Sequence, residues 1–282
     1  MVAFGMSRRM VWGTLRSGMR IAAVLAPAVL GACATPSSNT PAPAKEVSAD
    51  SLVKAGDDAR SRGDLASAAL LYERAEQMNP KDLGTSLRLG GVWAQVGQPG
   101  QALEAYRRAL AIDPGNAEAV RGVANTQLQM GDAAAAIATL RNAPGLRSDW
   151  RLQNSLGVAY DLSGDFQDAQ AAYRQGLALA PGNLQLVSNL GLSLALAGNF
   201  DEALPMLEKA AQDPAATPRI RQNLALAYGL AGDDAKAAEI AKIDLDPAKV
   251  QANLGYYEYL RLLHDRKALA AAVGAHQAES PQ

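Results

Sequence analysis

Beyond the N-terminal region, apolar residues recur at spacings of three and four, which places their side chains on one side of an α-helix. In the segment 150–183, Tyr160 belongs to one such stripe and Tyr173 belongs to a second. Gly164 stands between the stripes, where a flexible backbone permits a turn, and Pro181 follows the second, where it cannot continue a helix. The pattern predicts two helices joined by a turn.

The same positions are filled again at intervals of about 34 residues, which is the length of a tetratricopeptide (TPR) unit. We therefore predict an all-α fold, a TPR solenoid wound as a right-handed superhelix, with about six helix-turn-helix units and a C-terminal capping helix pair. The predicted units cover 49–82, 83–116, 117–149, 150–183, 184–217 and 218–247, the capping pair covers 248–275, and a disordered tail covers 276–282.

Two units depart from this pattern. The unit 117–149 has Pro144 where its second helix should continue, so that helix is expected to end early. The unit 218–247 has Ala241 at the place where the other units tend to carry a large residue. These two units should be the least regular.

The predicted cap contains three closely spaced tyrosines, Tyr256, Tyr257 and Tyr259. Residues so spaced cannot all lie on one helical face, so at least one should point away from the array. Two interpretations are open. The tyrosines cap the last unit, because tyrosine adds apolar area and a hydrated hydroxyl, or they form a surface for a partner at the end of the array.

The N-terminal segment has the plan of an export signal. Residues 1–32 hold four arginines and no acid, and their apolar run, Ile21–Leu30, is shorter than the about 20 residues that span a bilayer. The run leads to Cys33, the single cysteine of the chain, in a setting that resembles the bacterial lipobox. We predict a lipoprotein signal peptide (1–32), a lipid on Cys33 and a flexible Pro/Ser/Ala tether (33–48), rather than a buried structural thiol.

Charge and residue usage exclude several classes of function. The chain after residue 32 carries more acidic than basic residues, which argues against nucleic-acid binding. The two histidines, His264 and His276, lie in or beyond the cap, and no second cysteine is available as a metal ligand or nucleophile. We therefore predict a non-enzymatic protein with no metal, no small-molecule substrate and no cofactor besides the covalent lipid on Cys33.

The predicted binding site is the concave face of the solenoid, where inner places of successive first helices carry polar residues. An asparagine can hold a peptide backbone through its paired donor and acceptor, and an arginine can bind a carboxylate through two hydrogen bonds. The asparagines could equally bond between neighbouring helices. The candidate protein-binding residues are Arg121, Asn125, Arg151, Asn154, Gln185, Asn189, Arg219 and Asn223.

The segment 150–262 resembles the TadD family, the TPR lipoproteins of the tight-adherence (Tad, or Flp) pilus assembly system. The resemblance rests on NLGLSLALAGNFDEAL, on PRIRQNLALAYGLAGD and on DPAKVQANLGYYEYLR, together with the lipobox. It implies an outer-membrane lipoprotein, facing the periplasm, that helps to build the pilus by binding a secretin or another pilus assembly component. The alternative is a general cell-envelope TPR lipoprotein that scaffolds cell-wall enzymes or outer-membrane protein assembly.

Overall fold

The computed structural model describes residues 47–279, and all regular structure in that range is helical. The predicted signal peptide, Cys33 and the tether up to residue 46 lie outside the described residues, as does the end of the predicted tail. Fourteen helices follow one another within 47–279: α1 (Ala49–Ser61), α2 (Leu65–Met78), α3 (Leu83–Gln95), α4 (Pro99–Ile112), α5 (Ala117–Gln129), α6 (Ala133–Arg141), α7 (Trp150–Ser163), α8 (Phe166–Leu179), α9 (Leu184–Leu196), α10 (Phe200–Ala211), α11 (Pro218–Leu230), α12 (Asp234–Ala241), α13 (Pro247–Arg261) and α14 (Arg266–Glu279).

The first twelve helices form six pairs, and each pair begins at the residue where the sequence pattern begins a unit. The second helices of the two irregular units are short: α6 has 9 residues and ends before Pro144, and α12 has 8. The prediction of an all-α chain built of helix pairs is confirmed for the described residues.

One turn geometry joins the helices of all six pairs. A glycine follows each first helix with φ between +76° and +85°, a region that side chains with a Cβ atom avoid. The N–H of the next residue then donates to the carbonyl five residues earlier, which satisfies a helix end that would otherwise lack partners. The glycines are Gly63, Gly97, Gly131, Gly164, Gly198 and Gly232.

A second glycine position brings the helices of a pair into close contact. A Cβ atom at Gly157 would lie 2.4 Å from the Tyr173 ring, and one at Gly191 would lie 2.6 Å from Cγ of Leu207. Tyr173 and Leu207 are almost fully buried. Because these glycines of the first helices have no side chain, they leave the space that Tyr173 and Leu207 of the second helices fill.

The pairs stack so that like helices form layers. From α3 to α13, each first helix contacts the first helix of the next pair, while each second helix lies against the first helices on either side of it. The first helices therefore form one layer, which lines the concave face, and the second helices form the other.

The last helix does not follow this scheme. We predicted that the two helices of the capping pair (248–275) would pack together and cover the last apolar face, but α14 packs chiefly against α7. It also continues to Glu279, so residues 276–279, predicted as disordered, are helical. The alanine-rich composition of α14 favours a longer helix, and its small side chains fit a close contact better than they fill an open end. Tyr259 on α13 and Leu262, the residue that follows α13, consequently remain 51% and 68% exposed.

Candidate binding groove

The concave face is a groove lined by α5, α7, α9 and α11, and the eight predicted binding residues differ in their access to it. Four are exposed, namely Asn125, Arg151, Gln185 and Arg219; Arg121, Asn154 and Asn189 are half-buried, and Asn223 is only 4% exposed. The predicted set is therefore not one continuous ligand-accessible surface.

Three of the four predicted asparagines take part in hydrogen bonds between neighbouring first helices. Nδ2 of Asn189 donates to Oδ1 of Asn154 at 2.8 Å, and Nδ2 of Asn223 donates to Oγ of Ser188 at 2.9 Å. Asn223 is buried in this contact, so it is a structural residue and is not accessible to a ligand as predicted. Asn154 and Asn189 retain partial exposure, and their role in binding stays a prediction.

The arginines remain available to a partner. The guanidinium of Arg151 lies 4.6 Å from the centre of the Trp150 ring, at the distance of a cation–π contact. Among the described residues, no carboxylate lies within ion-pair distance of Arg121, Arg151 or Arg219. The predicted capacity to bind an acidic group therefore persists at these three residues.

A cavity of about 130 Å³ lies between the groove and α14. Its floor includes the polar residues Asp161, Asn189 and Arg219. The α14 side contributes Ala270, Val273 and Gly274, which carry no polar side-chain atom. The polar groups of the cavity therefore all lie on the side of the array, beside apolar residues such as Leu192 and Leu196, whereas the α14 side is apolar.

Asp161 is a feature of this site that the sequence analysis missed. Its carboxylate accepts hydrogen bonds from the Tyr173 hydroxyl at 2.8 Å and from the Ser193 hydroxyl at 2.6 Å. Burial raises the pKa of Asp161 to about 7, because loss of hydration disfavours the charged form more than the two hydrogen bonds favour it. The only sequence signal was an acid one turn before the glycine of the inter-helix turn.

The three tyrosines of α13 do not all lie on one face, as the sequence required. Tyr257 is 3% exposed and packs against Gly229 of the last pair, so it belongs to the array and not to a surface. The Tyr256 ring stacks on the His276 ring of α14, with the ring centres 4.2 Å apart. Tyr259 alone is strongly exposed. A contact at the end of the array stays a prediction for Tyr256 and Tyr259.

Comparison with known proteins identifies the family. Models of the tetratricopeptide repeat match residues 53–117, 94–156 and 156–219, which together span more than half of the chain. The chain is a tetratricopeptide repeat protein. TPR units cannot bury their apolar faces alone, which explains the continuous stacking of the helix pairs.

Two curated relatives share a part of this TPR array. The chain is 32% identical over 141 residues to cellulose synthase operon protein C of Pseudomonas fluorescens, covering 47% of this chain. It is also 32% identical over 136 residues to the protein of that name from Xanthomonas axonopodis, covering 44% of this chain. The chain matches only 11% and 9% of the length of these relatives.

Solved structures share the TPR fold at low sequence identity. A TPR protein from Parabacteroides merdae is 17% identical with a TM-score of 0.61, covering 82% of this chain and 92% of that chain. PilW, a type IV pilus biogenesis factor, is 20% identical with a TM-score of 0.60, covering 74% and 94%. PilF of Pseudomonas aeruginosa is 18% identical with a TM-score of 0.57, covering 73% and 96%. At such identities the likeness establishes the fold alone, and it confirms the predicted TPR solenoid.

The TPR fold is typical of non-enzymatic scaffolds that bind other proteins. Within the described part of the chain, no cluster of three or more His, Cys, Asp or Glu side chains could hold a metal ion. In the same part, no helix combines the length and apolar character needed to cross a membrane.

Proposed function

We propose that this TPR protein is a lipid-anchored scaffold of the bacterial cell envelope, which binds a helical segment of a pilus assembly or secretin component in its concave groove. The anchor is the lipid on Cys33, and the protein faces the periplasm from the outer membrane.

The proposal that the groove binds a helix rests on the position of α14. A helix already lies in the groove, with Ala270 and Val273 buried against the first helices. The width and the surface of the groove therefore suit a helix, and the exposed Arg151 and Arg219 provide cationic contacts to an acidic side chain or a C-terminal carboxylate.

The assignment to pilus assembly is supported by the resemblance of 150–262 to the TPR lipoproteins of the Tad system. Two of the segments that carry it, 218–233 and 246–261, form α11 with its turn and α13. These helices build the C-terminal end of the groove and the end of the array. The fold likeness to PilW is compatible with this assignment.

The length of the tether limits how far the groove can lie from the outer membrane. Residues 33–48 would span at most about 45–50 Å if extended as polyproline II, at about 3.1 Å per residue. A partner must therefore present its helix close to the inner surface of the outer membrane, as the periplasmic part of a secretin subunit would.

Affinity capture from detergent-solubilised membranes of the source bacterium tests the proposal. The bait is the full chain, compared with the variant Arg151→Glu/Arg219→Glu and with the control Arg107→Glu. Arg107 is exposed on α4, a second helix, outside the groove. We expect a secretin or pilus assembly protein with the wild type and with the control, and its loss with the double variant.

Two results would contradict the proposal. Equal capture by all three baits would place the docking site outside the groove. Capture of cell-wall enzymes or of outer-membrane insertion machinery, with no pilus component, would instead support a general envelope scaffold.

A further inference from the structure

The groove of this protein is occupied by its own C-terminal helix. A Cβ atom at Gly164 would lie 3.2 Å from the backbone of Arg266 and Lys267, and one at Gly274 would lie 2.5 Å from Cδ2 of Leu162. The start and the later turns of α14 thus both approach the C-terminal half of α7. This contact joins segments about a hundred residues apart in the chain.

The attachment of α14 is less extensive than the contacts between the repeats. Ala270 and Val273 are its only fully buried apolar residues up to His276, whereas second helices of the array bury whole rings such as Tyr72, Phe166 and Tyr173. Between Arg266 and Ala275, no side-chain hydrogen bond or ion pair joins α14 to the groove.

The fit of α14 is also incomplete. The roof that it forms leaves the cavity of about 130 Å³ above Asp161 and Arg219, whose polar groups it does not reach. Beneath its end, the Tyr256 hydroxyl is buried and has no hydrogen-bond partner among the described residues. Unfilled space forfeits packing contacts, and an unpartnered buried hydroxyl is unfavourable. A different helix could therefore bind the same surface better.

The sequence of α14 favours the helical conformation independently of the groove. Its composition is rich in alanine, and Asp265 accepts hydrogen bonds from the N–H groups of Lys267 and Ala268 at its start. Undocking would therefore release a segment that keeps a tendency to be helical and that remains tethered beside the groove.

We propose that α14 is a displaceable occupant of the binding groove. A helix of the partner, with small residues against α7 and one longer polar side chain in the cavity, takes its place. This inference rests on the proposed function, since it names the regulation of the same groove. While docked, α14 competes at the high effective concentration of a tethered segment, so that only a better-fitting helix displaces it.

The test uses the full chain in a Cys33→Ser background, in three states of α14. Leu162→Cys/Gly274→Cys is designed to lock α14 onto α7 when the disulfide is oxidised, because a Cβ atom at position 274 would lie 2.5 Å from the Leu162 side chain. Val273→Asp releases it by placing a charge at a buried position, and Ala271→Asp is the matched control at an exposed position of the same helix. Circular dichroism melting checks that the array remains folded in each variant.

The probe is a fluorescein-labelled peptide with the sequence of residues 264–279, followed by fluorescence anisotropy. We expect the released variant to bind it at least tenfold more tightly than the wild type and the Ala271→Asp control, and the oxidised variant not to bind it. A second peptide carrying Ala270→Gln should bind the released variant several-fold more tightly, because its side chain reaches the cavity.

The inference is overturned if the released variant binds neither peptide. Membrane capture with the locked and the released baits separates this inference from the proposed function. Equal capture of a pilus component by both baits would refute displacement and leave the scaffold function standing. If neither bait captures a pilus component but the released variant binds the peptide, the scaffold function is refuted and the displacement of α14 stands.

Discussion

The contact between Gly157 and Tyr173 gives a quantitative test of the packing register. A methyl group at Gly157 would lie 2.4–2.7 Å from three atoms of the Tyr173 ring. The ring has little freedom to move aside, because it is buried and its hydroxyl is bonded to Asp161. Gly157→Ala should therefore overpack the α7–α8 interface, at a cost of about 1–3 kcal/mol.

A matched control removes the backbone contribution of the same substitution. Gly255 also lies inside a helix, but no atom stands within 4 Å of the position of its Cβ. Alanine in place of a helical glycine stabilises by about 0.5–1 kcal/mol at either site. Gly255→Ala should thus stabilise the protein by that amount, and the difference between the variants isolates the overpacking of about 1–3 kcal/mol.

Thermal unfolding followed by circular dichroism at 222 nm measures this difference. For a chain of this length, 1 kcal/mol corresponds to a shift in Tm of about 2–4 °C, so the midpoints of the two variants should differ by roughly 2–12 °C. Gly157→Ala should have the lower midpoint. Equal midpoints, or the reverse order, would show that Gly157 does not face the Tyr173 ring.

Three further predictions concern the groove and the anchor. The pKa of Asp161 is raised to about 7 in the folded protein, so between about pH 4 and pH 7 the folded protein keeps a proton that the unfolded chain has lost. The free energy of unfolding should therefore fall as the pH rises from about 4 to 7, by at most about 1.4 kcal/mol per pH unit. Urea midpoints at pH 5 and pH 8 should show this loss in the wild type and a smaller loss in Asp161→Asn; an equal loss in both would refute the assignment. Asn223→Ala should lower the free energy of unfolding by about 1–3 kcal/mol, because a buried hydrogen bond is lost, whereas Asn125→Ala at an exposed place should change it by less than about 0.5 kcal/mol. Cys33→Ser should abolish fatty-acid labelling and move the protein out of the membrane fraction; labelling that persists in this variant would rule out the lipid anchor on Cys33.

The helix pairs could be predicted because their signals are local. The glycine that ends each first helix has positive φ, and the required geometry recurs at a fixed distance from the apolar stripes. A positive φ does not by itself mark the turn inside a helix pair. Gly182, in the loop between α8 and α9, also has a φ of +76°, although no atom lies within 4 Å of the position of its Cβ. A substitution there should be strained for a backbone reason, which makes Gly182 a poorer control for packing than Gly255.

The roles of the groove asparagines could be narrowed from the sequence but not decided. An asparagine offers a donor and an acceptor to a peptide and to a neighbouring side chain alike. The choice depends on whether the preceding first helix brings a polar group within reach, as Asn154 does for Asn189 and Ser188 does for Asn223. Each of these pairs is 35 residues apart, one position more than the repeat, so the relevant contact lies between units and not within one.

The position of α14 could not be predicted, because it depends on a contact with no local signal. A capping helix was expected at the end of the array, where Tyr259 and Leu262 are apolar and uncovered. Covering them would require large side chains on the covering helix, and the face of α14 that packs on the array offers chiefly Ala270, Val273 and Gly274. Those residues suit a close approach to another helix, which α7 provides at Leu162. Because these side chains are small, α14 cannot cover the end of the array, and it also leaves the cavity over Asp161 unfilled. The helix that closes the groove is therefore one that a better-fitting partner helix can replace.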